Sequence, residues 1–277
     1  MRLPYTDTQK QRLTELGAPG DVAGRTFPDE TEREQSFKKV ARELAQQNKH
    51  RLNDLRGVSL RPAVRRMESL LVGILTGAGF VEVCTPTTVS RGMLVKMGIT
   101  EGHPLWEQVF RLEDGTCLRP MLAPNLYYLL GRLGTLWPRP IRIFEIGQCF
   151  REESKGVRHL SEFTMLNLVE MGTESDPEQR LAELAGLVME GLGMEYRLVV
   201  EESEVYKKTI DVMSGELELA SGALGPHPLD KNWNITENWV GLGFGLERLV
   251  MVQEGFHNIR RAGRGLIYLD GARIDIH

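Results

Sequence analysis

Long apolar runs are missing from this sequence, and so are paired cysteines. No stretch of about 18 apolar residues occurs in the 277, which leaves no candidate membrane-spanning helix. Residues 1–20 contain no apolar core of signal-peptide type, so the expected compartment is the cytoplasm. The three cysteines, Cys84, Cys117 and Cys149, lie far apart without a Cys-x-x-Cys pair. That argues against a disulfide framework or a zinc site and fits reducing conditions. Internal repeats and low-complexity stretches are absent as well. What is present is ordinary: 41% hydrophobic and 26% charged residues, enough for one large soluble domain with a smaller appendage.

A large excess of positive charge is also lacking, since the formal net charge is −4. Its distribution is uneven. Residues 1–66 hold 14 basic and 9 acidic side chains, a balance of +5; the remainder holds 20 and 29, a balance of −9. Residues 38–66 alone carry nine basic groups (Lys38, Lys39, Arg42, Lys49, Arg51, Arg56, Arg61, Arg65, Arg66) against Glu43 and Asp54. A basic segment on an acidic body fits polyanion docking; the plainer reading is a solvated helix face.

Hydrophobic spacing predicts helices over 8–16, ending at Gly17, from Asp29 to about Lys49, and from Pro62 to Ala78 with Gly79 as stop. Gly17 to Gly24 reads as a linker. Short strands are expected over 80–85, 109–112 and 116–118, the last two flanking Asp114-Gly115 as a hairpin. Further helices are expected over 123–133, 176–192 and 245–254. Strands are expected over 141–151 and 162–171, and a hairpin over 205–224. Adjacent strands with helices around them imply an α+β antiparallel sheet. The organisation expected is a helical N-terminal extension, 1–60, followed by a catalytic domain, 61–277.

Three stretches are rich in chemistry. In residues 141–168 two strand-like segments flank a loop with Arg151, Glu152, Glu153, Lys155, Arg158 and His159. A guanidinium can grip phosphate or carboxylate in a planar fork, and a carboxylate can accept from an adenine amino group; an exposed charged hairpin tip is the alternative. In residues 241–251, Gly241, Gly243 and Gly245 alternate before a helix bearing Glu247 and Arg248. Alternate glycines strip one strand face of side chains and let a ligand approach. The pattern is neither a Rossmann loop nor a P-loop. In residues 215–226, Glu216 and Glu218 alternate and Ser221 follows near the strand end. Glu218 and Ser221 offer oxygen ligands for Mg²⁺; an outward polar strand face is the alternative.

Together these stretches resemble class II aminoacyl-tRNA synthetases. The segment ending at Pro86 resembles motif 1, Phe150-Arg151-Glu152-Glu153 with Phe163 resembles motif 2, and Gly243 to Arg248 resembles motif 3. The strings LRPMLAPNLY, SEFTMLN and GFGLERL look like the pyrrolysine-specific members. The resemblance covers 61–277 well and the N-terminal part more loosely.

The resemblance implies an antiparallel sheet flanked by helices, a homodimer built through motif 1, and use of ATP with Mg²⁺. Carried over, Arg151 holds the α-phosphate and the amino-acid carboxylate. Glu153 reads the adenine amino group, Phe163 and Arg248 sandwich the adenine, and His159 approaches the β,γ-phosphates. Glu218 and Ser221 ligate Mg²⁺. The implied amino-acid pocket comprises Met121, Leu122, Ala123, Leu126, Tyr127, Leu130, Ile143, Asn167, Val169, Tyr206, Ala223, Trp239 and Gly241. The implied reaction is formation of pyrrolysyl adenylate and transfer to the pyrrolysine-specific tRNA. Some members carry an additional N-terminal tRNA-binding domain; this chain looks like those in which it is separate or absent, which makes a separate tRNA-binding protein a candidate partner. Two alternatives stand beside this: a class II synthetase of phenylalanine-like specificity, and a non-catalytic synthetase-like paralogue. The latter predicts a broken motif 2 or 3, and both Arg151 and Arg248 are present.

Overall fold

The computed structural model describes residues 2–152, 160–203 and 207–276. They form two compact units: residues 2–66 with 250–276, and residues 67–152 with 160–249. Among the described residues no helix is long and apolar enough to cross a membrane.

The first unit is helical. Helix α1 (Asp7–Leu16) starts at Thr6, whose side chain accepts from the Gln9 amide while the Gln9 side chain accepts from the Thr6 amide. It stops at Gly17, whose φ of 102° suits a residue without Cβ. The expected linker after it contains a helical turn, Gly20–Ala23. Helix α2 (Glu30–Asp54) is capped by Asp29 and runs five residues past the expected end before a π-helical turn, Leu55–Ser59. Tyr5, Leu13, Leu16, Phe27, Val40 and Leu44 form the unit's core. The C-terminal tail belongs to this core. Asn48, 3% exposed, donates to the carbonyls of Leu16 and Leu44 and accepts the Arg273 amide at 2.6 Å. Arg273 also pairs with Glu15 at 2.6 Å. Sequence patterning gave no role to residues 255–277.

Helix α3 (Ala63–Gly77) leads into the second unit, with Met67, Leu71 and Leu75 buried. The central sheet has seven strands: β1 (Val81–Glu82), β2 (Ile141–Phe150), β3 (Glu162–Met171), β4 (Arg197–Ser203), β5 (Lys207–Ser214), β6 (Leu217–Gly225) and β7 (Trp239–Gly245). Their spatial order is β1-β2-β3-β7-β6-β5-β4. All neighbours are antiparallel except β1, which runs parallel to β2. The expected hairpin at Asp114-Gly115 is half formed: Thr116–Leu118 pairs with Thr88–Ser90, and the 109–112 arm contributes one bridge, Arg111 to Cys117.

Helices cover both sheet faces. On one, α4 (Ala123–Leu133) buries Leu126, Tyr127 and Leu130 in a cluster with Ile141, Ile143, Val169 and Met171. On the other, α5 (Pro177–Gly191) buries Leu181, Leu184 and Val188. Each such leucine contributes about 1.5–3 kcal/mol by burial. A Cβ on Gly222 would lie 2.7 Å from Leu181, so this face of β6 is in close contact with α5. Helix α6 (Leu246–Gln253) follows β7 directly.

Candidate active site

The second unit contains a cavity of about 340 Å³, lined by many apolar side chains and by the charged Arg151 and Glu218. Strand β3 alternates regularly, and Met165, Asn167 and Val169 all reach the cavity from one face. Met121, Ala123, Leu126, Tyr127 and Leu130 face it from α4 and the segment before it, and Ala223, Trp239 and Gly241 from β6 and β7. The Trp239 indole is fixed: its Nε1 donates to Asp230 at 2.9 Å, and Tyr127 meets the ring edge-on at 5.2 Å. Burial pushes the Asp230 carboxyl above its ordinary value, opposed by hydrogen bonds from the His227 amide and Trp239. The alternate glycines keep β7 low beside these groups. A Cβ at Gly243 would sit 3.4 Å from Asn167 Oδ1 and 3.3 Å from Met165. Among the described residues the Asn167 amide nitrogen has a single contact, to the Leu168 carbonyl at 3.5 Å, at the limit of a hydrogen bond.

Arg151, at the end of β2, donates through Nε to the Pro120 carbonyl at 3.0 Å, and its guanidinium lies 5.2 Å from the Phe163 ring centre. Arg248, on α6, donates to the carboxylate and carbonyl of Glu218 at 3.0 and 2.9 Å. Ser221 donates to Asp211 at 2.7 Å. Glu216 is not in the strand with Glu218, because β6 begins at Leu217, and Ser221 lies mid-strand rather than near the end. The alternation is broken by a bulge: Glu218 pairs with Met213 and Ala220 with Val212, leaving Leu219 unpaired. The extra residue shifts the phase, so Glu218 and Ser221, three apart, both line the cavity.

Two residues expected in the pocket wall lie elsewhere. Leu122 and Ile143 are wholly buried in the core cluster and do not line the cavity, because their apolar side chains pack against the other core residues there. Glu153, His159 and Tyr206 fall outside the described residues. The wall also includes Met165, which strand alternation puts on one face with Asn167, and Gly243, one of the alternate glycines. Thr209, Gly222 and Leu242 line it too and were not singled out by sequence reasoning. Neither was Asp211, since only the β5–β6 register places it opposite Ser221.

A family model for the tRNA synthetases class II core domain (F) matches residues 125–265. Among solved structures, a crystal structure of pyrrolysyl-tRNA synthetase from Desulfitobacterium hafniense superposes with a TM-score of 0.94 at 50% identity, covering 99% of each chain. A second structure of a pyrrolysyl-tRNA synthetase from the same organism gives 0.92 at 50% identity, covering 99% of this chain and 98% of the other. The chain belongs to the pyrrolysyl-tRNA synthetase family of class II aminoacyl-tRNA synthetases. A more distant curated relative is the O-phosphoserine–tRNA(Cys) ligase of Methanococcus vannielii, 25% identical over 201 residues. The match takes in 68% of this chain and 37% of that one, so the chain spans about a third of that relative's length.

In this member of the family the three motif-bearing segments are α3 with β1, the β2–β3 pair, and β7 with α6. Motifs 2 and 3 are tied together at Glu247. Both its oxygens accept from the Thr164 amide at 2.9 Å, with Glu247 2% exposed. Cys149 lies on β2, and burial pushes its thiol up to about 12.

Proposed function

We propose that this chain activates pyrrolysine, or another N-acylated lysine, with ATP as the aminoacyl adenylate and passes it to a cognate tRNA. The observation that carries this is the cavity's lining: many apolar side chains with one amide, Asn167, together with Arg151, Glu218 and Ser221, Glu218 being held in turn by Arg248 from outside the wall. An apolar pocket with one underused amide matches a side chain that is long, apolar and interrupted by a carbonyl. Lysine would bring its ammonium into that environment unpaired, which is costly.

In this reading Arg151 grips the α-phosphate and the substrate carboxylate, so that the carboxylate oxygen meets phosphorus as pyrophosphate leaves. Phe163 and Arg248 take the adenine between them by stacking and cation–π attraction; Glu153 reads its amino group and His159 approaches the outer phosphates. The protein's contribution is positioning, plus neutralisation of charge building on the α-phosphate. Glu218 and Ser221 supply hard oxygen donors, with Asp211 holding Ser221, and this set suits Mg²⁺ completed by phosphate oxygens. Mg²⁺ would act as a Lewis acid on the phosphates.

The assembly we propose is a cytoplasmic homodimer. The motif 1 elements expose apolar side chains, Leu70 on α3 being 52% and Val81 on β1 46% accessible, which suits an isologous contact. Light scattering at micromolar concentration should give twice 31.3 kDa. Lys38, Lys39, Arg42 and Lys49 are exposed on α2, and we assign them to tRNA phosphates, with or without a separate tRNA-binding protein. The deciding experiment is ATP–pyrophosphate exchange with pyrrolysine or a carbamate-linked lysine, against phenylalanine and lysine. Exchange driven best by phenylalanine would overturn the specificity, and none with any amino acid would favour a non-catalytic paralogue.

A further inference from the structure

The first unit holds the guanidinium of Arg261 in a half-buried position. The Nε and Nη1 atoms of Arg261 are shielded from solvent and make no hydrogen bond among the described residues. Burial pushes its pKa below the ordinary arginine value, and the nearby Arg51 pushes the same way. Buried arginines are almost always paired. Two rings and a second arginine stand close to Arg261. The Phe256 and Tyr268 ring centres lie 5.2 and 5.7 Å from its guanidinium carbon, and Arg51 also stacks on Phe256, at 4.7 Å. A Cβ on Gly17 would lie 2.2 Å from Nη1, so the end of α1 comes close as bare backbone.

The neighbouring carboxylates are engaged elsewhere. Glu254 pairs with Arg51 at 2.9 Å and Arg66 at 3.5 Å. Asp270 accepts the Ala63 amide at 2.6 Å and faces Arg66 at 3.7 Å. Asp54 is exposed and forms no ion pair with Arg261. Residues 255–269 contain Arg260, Arg261 and Arg264 and no carboxylate. Two cavities, of about 330 and 230 Å³, both have Arg261 in their walls; His50 and Arg51 line the first, Arg65 and Arg264 the second.

We propose that Arg261 is the anchor of an oxyanion site that takes a phosphate group, separate from the nucleotide site and independent of the aminoacylation reading. Nε and Nη1 lie on opposite sides of the planar guanidinium and each forms a fork with Nη2, so a phosphate gripped by Nη2 and either of them would use a donor that the fold leaves unpaired. Its rigid stacking on two rings means that little ordering is left for the ligand to impose. The phosphate can belong to an RNA backbone or be free in solution, and the two sources are separable.

The test uses the full chain with a non-hydrolysable ATP analogue present throughout, so that the nucleotide site is filled. Melting is followed in chloride and in 10 mM inorganic phosphate at equal ionic strength. Wild type should gain about 3 °C in phosphate, while Arg261→Met melts no lower than wild type in chloride and gains nothing, and Arg261→Lys gains less than wild type. The source is then read from tRNA binding against salt. A log–log slope shallower by about 1 in Arg261→Met assigns the site to an RNA phosphodiester, and an unchanged slope assigns it to a free anion. No phosphate response in wild type, or an equal response in Arg261→Met, overturns the proposal. So does failure of both variants to fold in chloride, because Arg261 would then be a structural group.

Discussion

Two strands of one sheet, β3 and β6 on either side of β7, build parts of the same cavity by different means. Strand β3 is regular: Met165, Asn167 and Val169 follow one another at two-residue intervals onto the cavity. Strand β6 is not, since the unpaired Leu219 lets Glu218 and Ser221 share a face. A regular strand can place only alternate residues together, whereas one inserted residue brings together groups that simple alternation would separate. The lesson is that the apolar substrate wall follows from periodicity and the polar wall from a break in it.

Four measurements can break or sharpen this contrast. The largest effect is expected where the two walls meet. Arg151→Ala should lower ATP–pyrophosphate exchange by about a thousandfold while the protein stays folded, since one preorganised charge-stabilising group is worth roughly that much. Near-normal exchange by the folded variant would remove the site assignment.

On the regular wall, Asn167→Ala should lower activation of an N-acyl lysine about 10- to 100-fold, from the roughly 1–3 kcal/mol of a lost buried amide contact. It should gain relative activity with bulky phenylalanine analogues. Full retention of N-acyl lysine activity would make Asn167 a structural residue and leave the pyrrolysine reading without its main physical support.

The bulged wall makes the less obvious prediction. Deleting Leu219 leaves Glu218 and Ser221 two apart in a regular strand, still on one face. Exchange should therefore stay within about tenfold of wild type, although losing a buried leucine costs about 2–5 kcal/mol in urea unfolding. A collapse of Mg²⁺-dependent exchange in a folded deletion variant would show that the bulge itself, not the shared face, is required.

The smallest effect lies away from the cavity wall. Glu170, on β3, is 1% exposed and is held by Arg142 at 2.7 Å and Arg180 at 2.9 Å. Burial pushes its carboxyl up, and the hydrogen bonds from Arg180 and Arg142 outweigh this, leaving it below the ordinary 4.5. A depressed folded pKa means stability that is present above about pH 4.5 and lost as pH falls through the folded value. Glu170→Gln should be less stable at neutral pH and lose less on acidification below pH 4.5, with neutral-pH exchange barely changed. Parallel melting-against-pH curves for the two proteins would count against this ion-pair account.

Much of the frame was legible before any coordinates. Helices 123–133 and 176–192 and strands 141–151 and 162–171 all lie within two residues of where their patterning put them, because each is amphipathic or continuously apolar over ten or more residues. Short elements were not legible. Phe80 to Thr85 became the two-residue strand β1, running parallel to β2, which its apolar content cannot reveal. The first strand of the β4–β5 pair was missed altogether. At the site, Asn167 was legible through the string SEFTMLN and Trp239 only as a pocket residue the resemblance implies, while Leu122 and Ile143 carry apolar chemistry like the wall's and differ only in direction.

Sequence alone therefore determined the family and named most of the apolar residues that line the cavity, since motif spacing and side-chain chemistry are linear properties. The tertiary structure decided which of those groups meet. The bulge at Leu219, the register that sets Asp211 against Ser221, and the return of Arg273 onto Asn48 and Glu15 all join residues through pairings with other segments. Burial decided the rest: Arg261 is one of 34 basic side chains in the sequence, and only packing against Phe256 and Tyr268 sets it apart, because desolvation is a property of surroundings and not of the residue.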